Sequence, residues 1–598
     1  MKTTLAALAL IILSLSSAQA EEDAAFDGPA TSVVQIVEAP EEYVTVSSPL
    51  PIVMPPLSSD DEAFLKKMPL RKRIGQMFMI GFQGQTLTDE GLGETIKAVA
   101  PGGIILFGRN IKSSNQLVDL LRGAQATAMN VSRLPLLTGI DQEGGNVIRL
   151  KTPVPLPSAL ALGKSLNPAL AESAGLATGQ LLKAFGFNTN FAPVLDVADP
   201  TQPSFIGTRT FGSDPETVAK MGTSFSRGLA SAGVFPVVKH FPGHGGVSED
   251  SHEGTPKKNV SLNDLRRLDL VPFARMQQNF HSRYGVMLAH IAYPKIDPSG
   301  SPATLSRRIV EGVLRQEMRY DGLVITDDIE MAGAYQVRDV RERVLRTIEA
   351  GTDMVMVAWN KKLQRELIGT VEKAVKSGRI SPDRIELSVR RVILAKRTYA
   401  QPTKQPPTTK QLAAAIQNPQ FAAIGEELLN SRFSKAPDAQ EREFKRYATD
   451  KPVLVFSANV RFAEMFKSVL KDRKVRTFGM DVERSFDVNK VMLSNPQAIG
   501  VFYVSGYQAA RIAGQISEDV ARRMLLVTVE IPSAVKNAAS FRYMVDAYYR
   551  HPQLGKMIAK QYFQKAQPPN TPVKKPEFRQ PASSKRPKVV SSVTARDE

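Results

Sequence analysis

VFPVVKHFPGHGGVSEDSH, residues 234–252, changes character partway along. Residues 234–238 form a short apolar run rich in valine, the pattern of a buried strand. Residues 239–252 then bring His240, His244 and His252, three of the chain's six histidines, together with Lys239 and Asp250. Glycines and a proline thread through them, a mixture that makes poor helix or strand. The polar residues therefore emerge where a strand ends and a loop begins, the place where folds carry chemistry. Asp250 stands two residues before His252. From there its carboxylate can accept a hydrogen bond from one imidazole nitrogen, fixing the tautomer and raising the basicity of the other. A glycine-rich surface loop with incidental polar residues would not be this dense.

The same transition recurs along the chain. Apolar runs at 74–81, 103–107, 134–140, 190–196, 234–240, 285–290, 322–327 and 353–359 are eight candidate strands. Segments between them, such as 115–128, 169–185, 215–232 and 262–278, have helical length and begin near Ser, Asn, Asp or Pro. This rhythm predicts an α/β chain whose first part is a TIM-type (β/α)8 barrel, with an open doubly wound sheet as the alternative. The placement of polar residues separates the two. Asp141, Asp196, Lys239, His240, His290 and Asp327 all fall at or just after strand C-termini, the face on which a barrel builds its active site.

Three further motifs lie on that face. In DQEGGNVIRL, residues 141–150, Asp141 ends a strand, Gly144 and Gly145 turn the chain, and Arg149 can return with a forked donor. An acid and an arginine can clamp the hydroxyls of a sugar, or can form an ordinary ion pair at a barrel rim. NFAPVLDVADP and GTRTFGSDP, residues 190–200 and 207–215, contribute Asp196 and Arg209, the former expected to brace loops. DGLVITDDIEM, residues 321–331, is a buried strand ending in two acids. Side chains alternate along a strand, so Leu323, Ile325 and Asp327 share one direction and Val324, Thr326 and Asp328 the other.

KHFPGHG followed by DSH, with these motifs in the same order, resembles glycoside hydrolase family 3 β-N-acetylglucosaminidases of the two-domain, exported type. The resemblance covers most of residues 63–400 and, more loosely, 410–565. It implies the barrel fold and an exo-acting, retaining hydrolysis of terminal β-linked N-acetylglucosamine (GlcNAc), with peptidoglycan fragments or muropeptides as substrate. Asp327 matches the family's nucleophile and His252 its acid/base, oriented by Asp250. Asp141, Arg149, Arg209, Lys239 and His240 match the residues that hold the sugar. Asp328 is then left facing the helix layer, capping or pairing with a cation. Asn146 stands where the family usually has arginine, a departure that touches neither binder. A family 3 β-glucosidase or broad β-hexosaminidase is the nearest alternative. A noncatalytic cell-wall-binding protein is the alternative of another class, but it has little use for Asp327, Asp250 and His252 together. No metal or other cofactor is expected: His240, His244 and His252 lack the helical spacing of a zinc site, and no GxGxxG occurs.

Residues 1–20 read as a secretory signal peptide, with Lys2, an apolar run and a small-x-small site at Ala18–Gln19–Ala20. Cleavage would leave no integral membrane span and a periplasmic or secreted protein. With no cysteine in the chain there is no lipoprotein anchor, disulfide or thiolate metal site. Residues 21–62 are expected to form an acidic, proline-rich spacer and 63–400 the catalytic barrel. A linker at 401–410 leads to a smaller α/β sandwich domain at 411–566, whose end resembles the C-terminal domain of two-domain family members. Residues 567–598 read as a basic disordered tail. The chain's net charge of +18 suits an anionic partner, and export favours a cell-wall polymer, bound through that tail, or the membrane surface over nucleic acid; a solvated charge excess with no dedicated partner is the alternative.

Overall fold

The structure, a computed structural model, describes residues 56–200, 202, 205–247, 254–401, 405–433, 439–480, 486–505, 507–529, 535–547 and 549–564. The expected signal peptide, the spacer through residue 55, the basic tail, Asp250 and His252 lie outside the described residues.

Eight strands close into a barrel of parallel neighbours: β1 (Phe78–Ile80), β2 (Gly103–Leu106), β3 (Leu137–Ile140), β4 (Thr189–Asn190), β5 (Phe235–Phe241), β6 (Gly285–Leu288), β7 (Leu323–Asp328) and β8 (Met354–Val357), which pairs back onto β1. Buried on both faces, such strands must be apolar on both. One set of their side chains, including Met79, Ile105, Leu137, Val237, Met287, Leu323, Ile325 and Met356, fills the barrel interior. The alternate set, including Ile80, Ile104, Val238, Val286, Val324 and Val355, packs under the surrounding helices. Those helices start where polar caps sit before prolines. Asn167 and Asp214 each accept backbone N–H groups at the first turns of Pro168–Phe185 and Pro215–Ser231.

Several boundaries differ from expectation. Residues 74–76 belong to the helix Leu70–Gln76, so β1 is only the last part of the expected run. β4 stops after two residues because Pro193 has no N–H to give the ladder. Pairing resumes beyond it, where the Leu195 N–H donates to the Lys239 carbonyl at 2.6 Å. The helix expected over 262–278 is two, Leu262–Arg267 and Leu270–Phe280, broken where Leu268 leaves helical geometry and buried Asp269 pairs with Lys258. The spacer expected to residue 62 ends earlier. Ser59–Lys67 is a helix whose first-turn acids suit its dipole, and Asp61 and Glu62 pair with Arg397 and Arg390.

Beyond the barrel, two helices follow, Thr409–Ile416 and Pro419–Phe433. Leu412, Phe421, Ile424 and Leu428 join the barrel's outer core. The five-stranded parallel sheet comprises β9 (Val453–Ser457), β10 (Val475–Gly479), β11 (Ile499–Val504), β12 (Met524–Thr528) and β13 (Tyr543–Asp546), in the order β10-β9-β11-β12-β13. It carries a core on each face, Val455, Val501 and Leu525 on one, Phe456, Phe502 and Leu526 on the other. β13 escaped the sequence reading because its run, Tyr-Met-Val-Asp, is short and ends in an acid. The Tyr549 hydroxyl donates to the Pro155 carbonyl at 2.7 Å, tying this domain to the barrel. Among the described residues no helix is long and apolar enough to cross a membrane.

At the opposite end of the barrel from the strand C-termini, fully buried Asp353 accepts from Arg315 (2.6 Å), Arg391 (3.0 Å), Ser388 (2.9 Å) and the Val324 N–H (2.9 Å). Burial alone would raise its pKa, but Arg391, Arg315 and Arg384 outweigh it and hold the carboxyl at about 2. Asp353→Ala leaves Arg315 and Arg384 without a carboxylate partner among the described residues, and we expect a loss of ~3–5 kcal/mol in denaturant unfolding. Activity per folded molecule should hold, since this end of a barrel serves stability. A loss under ~1 kcal/mol would contradict the role given to the cluster.

Candidate active site

The loop after β3 is built by Gln142. Its side-chain oxygen accepts the N–H groups of Arg149 (2.8 Å) and Leu150 (3.0 Å), and its amide nitrogen donates to the Leu150 carbonyl at 2.8 Å. Asn190, at the end of β4, locks the base of this loop by accepting the Gln142 N–H at 3.0 Å and donating to the Gln142 carbonyl at 3.0 Å. Gly144, at φ +99°, makes the turn, and a Cβ there would lie 2.1 Å from the Pro157 carbonyl oxygen. The result aims Asp141, Glu143 and Arg149 into a cavity of about 260 Å³ at the C-terminal face of the barrel.

Lys239, near the end of β5, meets them there. Its ammonium donates to Asp141 at 2.9 Å and pairs with Glu143 at 2.7 Å. Arg209, from the loop after β4, forks onto Glu143 with two bonds of 2.8 Å. Glu143 is buried, which alone would raise its pKa, yet Arg209 and Lys239 drive it far below the ordinary carboxylate range. Arg149 approaches Asp141 at 3.7 Å, and its buried Nε has no hydrogen-bond partner among the described residues. Glu143 lies within the DQEGG stretch but was not singled out by the sequence reading. An acid one residue from a glycine turn carries no distinctive local signal, and its partners come from other strands.

His240 is oriented from behind. Asp196, fully buried, accepts from the backbone N–H of His240 (3.2 Å) and of His244 (2.6 Å), and its second oxygen lies 2.7 Å from His240 Nδ1. Burial opposes its charge, but His240 and the other contacts hold its carboxyl at about 2. An ionised carboxylate can only accept, so His240 carries a proton on Nδ1 and turns Nε2 away from Asp196. Asp196 thus braces the loop rather than facing the cavity.

Asp327 and Asp328 end β7 and diverge as strand alternation requires. Asp327 lines the cavity, its Oδ1 accepting the Asp328 N–H at 2.8 Å. Burial would raise its pKa, but His290, His240 and Lys239 outweigh this and the net shift is downward, so Asp327 is ionised. Asp328 takes the capping rather than the cation-pairing alternative, having no ion pair among the described residues. Its Oδ1 accepts instead from the N–H groups of Glu330 and Ala358, both at 3.2 Å, and the residue also borders the cavity. Burial, then the charge of Glu330, push its carboxyl up to about 7. His290 backs the pair, with Nε2 3.0 Å from the Asp328 carbonyl and Nδ1 3.0 Å from the Thr304 hydroxyl. Burial lowers its pKa, and since a carbonyl oxygen can only accept, Nε2 carries a proton and donates to it.

The structure therefore brings Asp141, Arg149, Arg209, Lys239, His240 and Asp327 together around one cavity. Asp250 and His252 belong to residues 248–253, outside the described residues. The segment bearing them leaves from His244 in the cavity wall, and Lys258 returns to Asp269 at 2.7 Å. Among the described residues no group of three His, Asp or Glu side chains is disposed to hold a metal ion.

Residues 69–395 match the family described as Glycosyl hydrolase family 3 N terminal domain. A beta-hexosaminidase of Pseudomonas aeruginosa is 38% identical over 291 residues, 48% of this chain and 84% of the relative. A beta-hexosaminidase of Idiomarina loihiensis is 38% identical over 284 residues, 47% of this chain and 82% of the relative. Among solved structures, a glycoside hydrolase family 3 beta-N-acetylglucosaminidase from Paenibacillus sp. str. FPU-7 superposes with a TM-score of 0.69 at 30% identity, covering 82% of this chain and 96% of the other.

His244 gives the cavity a pH signature. It is 2% exposed, and neither ring nitrogen has a hydrogen-bond partner among the described residues. Burial, then repulsion from His240, lower its pKa to about 4. In the unfolded chain the ring titrates near 6.5, so on acidification the unfolded state binds the proton first. The stability held by the neutral ring is full above pH 6.5 and is lost as pH falls from 6.5 towards 4, by up to ~3 kcal/mol. His244→Asn should flatten part of the fall in Tm across that window; an unchanged slope would refute the assignment.

Proposed function

Because the chain belongs to glycosyl hydrolase family 3, we propose that it is a β-N-acetylhexosaminidase that removes terminal β-linked GlcNAc from glycans, with retention of configuration. One observation carries this reading: an ionised carboxylate, Asp327, faces a wall of alternating acids and cations in a cavity the size of one sugar. Such a wall suits a polyhydroxylated ring, whose hydroxyls donate to Asp141 and to His240 Nε2 and accept from Lys239 and Arg149. The relatives' names and the 30% identical structure support the choice of hexosamine.

The reaction runs in two displacements. Asp327 forms a bond to the anomeric carbon as the bond from that carbon to the aglycone oxygen breaks, and His252 gives its proton to that oxygen. Water then attacks the same carbon, its proton passes to His252, and the Asp327–sugar bond breaks. Asp250 orients the imidazole and stabilises its charged form. Lys239 keeps Asp327 ionised before attack and helps it leave afterwards. In the cell the substrate is peptidoglycan fragments met after export, with the basic segment from residue 567 holding the enzyme to an anionic wall polymer.

The adjacent acids test the chemistry. Asp327→Asn should cut kcat by several orders of magnitude with the fold intact, as expected for a lost nucleophile. Asp328→Asn keeps an oxygen for both N–H groups and should retain most activity. It should also be the more stable protein above pH 7. Asp328 binds a proton more tightly folded than unfolded, so it contributes least once pH passes about 7. A 2-fluoro substrate analogue trapped on Asp328, or on any residue other than Asp327, would overturn the mechanism.

The proton donor is tested by leaving group. His252→Ala should slow hydrolysis of N,N′-diacetylchitobiose, the β-linked GlcNAc dimer, far more than that of a nitrophenyl glycoside, whose leaving group needs little protonation. Equal slowing of glycosyl-enzyme formation from both would remove His252 from this role.

A further inference from the structure

Trp359 is the chain's single tryptophan, and it is 51% exposed although it lines the cavity. An indole left half in water at the mouth of a polar pocket has apolar surface still to cover. Its backbone is fixed: the N–H groups of Trp359 and Asn360 donate to Glu330 at 2.8 and 3.2 Å. The ring is fixed too. The Arg109 guanidinium lies 3.9 Å from the indole centroid and 4.3 Å from that of Phe107, and the two rings are stacked at 5.8 Å with 25° between planes. With separations that short, Arg109 and Phe107 must stand on the same side of the indole, leaving the opposite face without a ring or cation from this pair. Arg109 is itself tied down, donating to the carbonyls of Phe82 (3.0 Å) and Ala358 (3.3 Å).

The cavity is graded with depth. Lys239 and His240 are 3% and 5% exposed, against 51% for Trp359. If the protein is the hexosaminidase proposed, a reading on which this inference rests, the terminal sugar sits among the buried polar groups and its glycosidic oxygen points to the mouth. We propose that Trp359, backed by Phe107 and Arg109, is the stacking platform for the second pyranose ring, the one whose oxygen leaves. The axial C–H groups of a pyranose carry partial positive charge and fit the negative face of an indole, while its equatorial hydroxyls stay in water. Trp359 is thereby a specificity residue that favours saccharide leaving groups over small alcohols, and its site takes an uncharged sugar ring.

Because no other tryptophan is present, all indole emission comes from this ring. In the full chain carrying Asp327→Ala, N,N′-diacetylchitobiose should shift the emission to the blue and shield it from acrylamide, whereas GlcNAc alone should leave most of both signals unmoved. Equal responses to the two sugars, or none to the dimer, would overturn the platform. In the active enzyme, Trp359→Ala should lower the ratio of kcat/KM for chitobiose to that for methyl β-GlcNAc about tenfold, and Trp359→Phe should recover most of that ratio. An unchanged ratio in Trp359→Ala would also overturn it. If the native protein hydrolyses neither glycoside, the proposed function falls, and this inference with it; hydrolysis of both with no change in ratio removes the platform alone.

Discussion

A buried carboxylate, Glu143, holds the cavity together. It comes from the loop after β3, yet its partners, Lys239 and Arg209, come from the end of β5 and the loop after β4. Removing any one of the three would strand a charge in a region from which water is largely excluded, so the three segments must be placed together. The cavity wall is therefore set before any ligand arrives. Asp141, Glu143 and Asp327 are offset by Lys239, Arg209 and Arg149, so a neutral sugar meets a site that is locally balanced and rich in directed donors and acceptors. Preorganised dipoles of this kind are what an enzyme directs at charge developing in a transition state.

The barrel was legible in the sequence because burying a strand on both faces imposes an apolar run, and eight such runs recurred, five of them with polar residues at the C-terminal end. The irregular parts were legible only after folding. A proline shortly past β4 shortened a strand whose apolar run continued, and acids before the barrel read as spacer although arginines more than 300 positions away pair with two of them. Long-range ion pairs leave no local periodicity, so charge composition alone misassigned residues 59–62.

The site was legible to the extent that it was local. Lys239, His240, Asp141 and Asp327 stood at strand ends, and the alternation along β7 separated Asp327 from its neighbour. What sequence could not convey is which environment each acid meets. Asp327 meets His290, His240 and Lys239 and is driven down; Asp328, one residue on, turns to two backbone N–H groups and is driven up to about 7 by burial and by Glu330. Glu143 and Trp359 were missed for a related reason. Each is ordinary in its own segment and acquires meaning only from residues of other strands.

On the proposed mechanism, nucleophile and proton carrier belong to different parts of the chain. The groups around Asp327 sit on strand ends, where ladder pairing and a filled barrel interior restrict them to within a rotamer. On either side of the Asp-x-His pair in sequence, the His244 N–H donates to Asp196 and Lys258 pairs with Asp269. A nucleophile must be held on line with one carbon through both displacements. A proton carrier has to serve first the departing oxygen and then an incoming water, which occupy the same place in turn and differ in size. On the proposed mechanism Asp327, held at the end of β7, meets the first of these requirements.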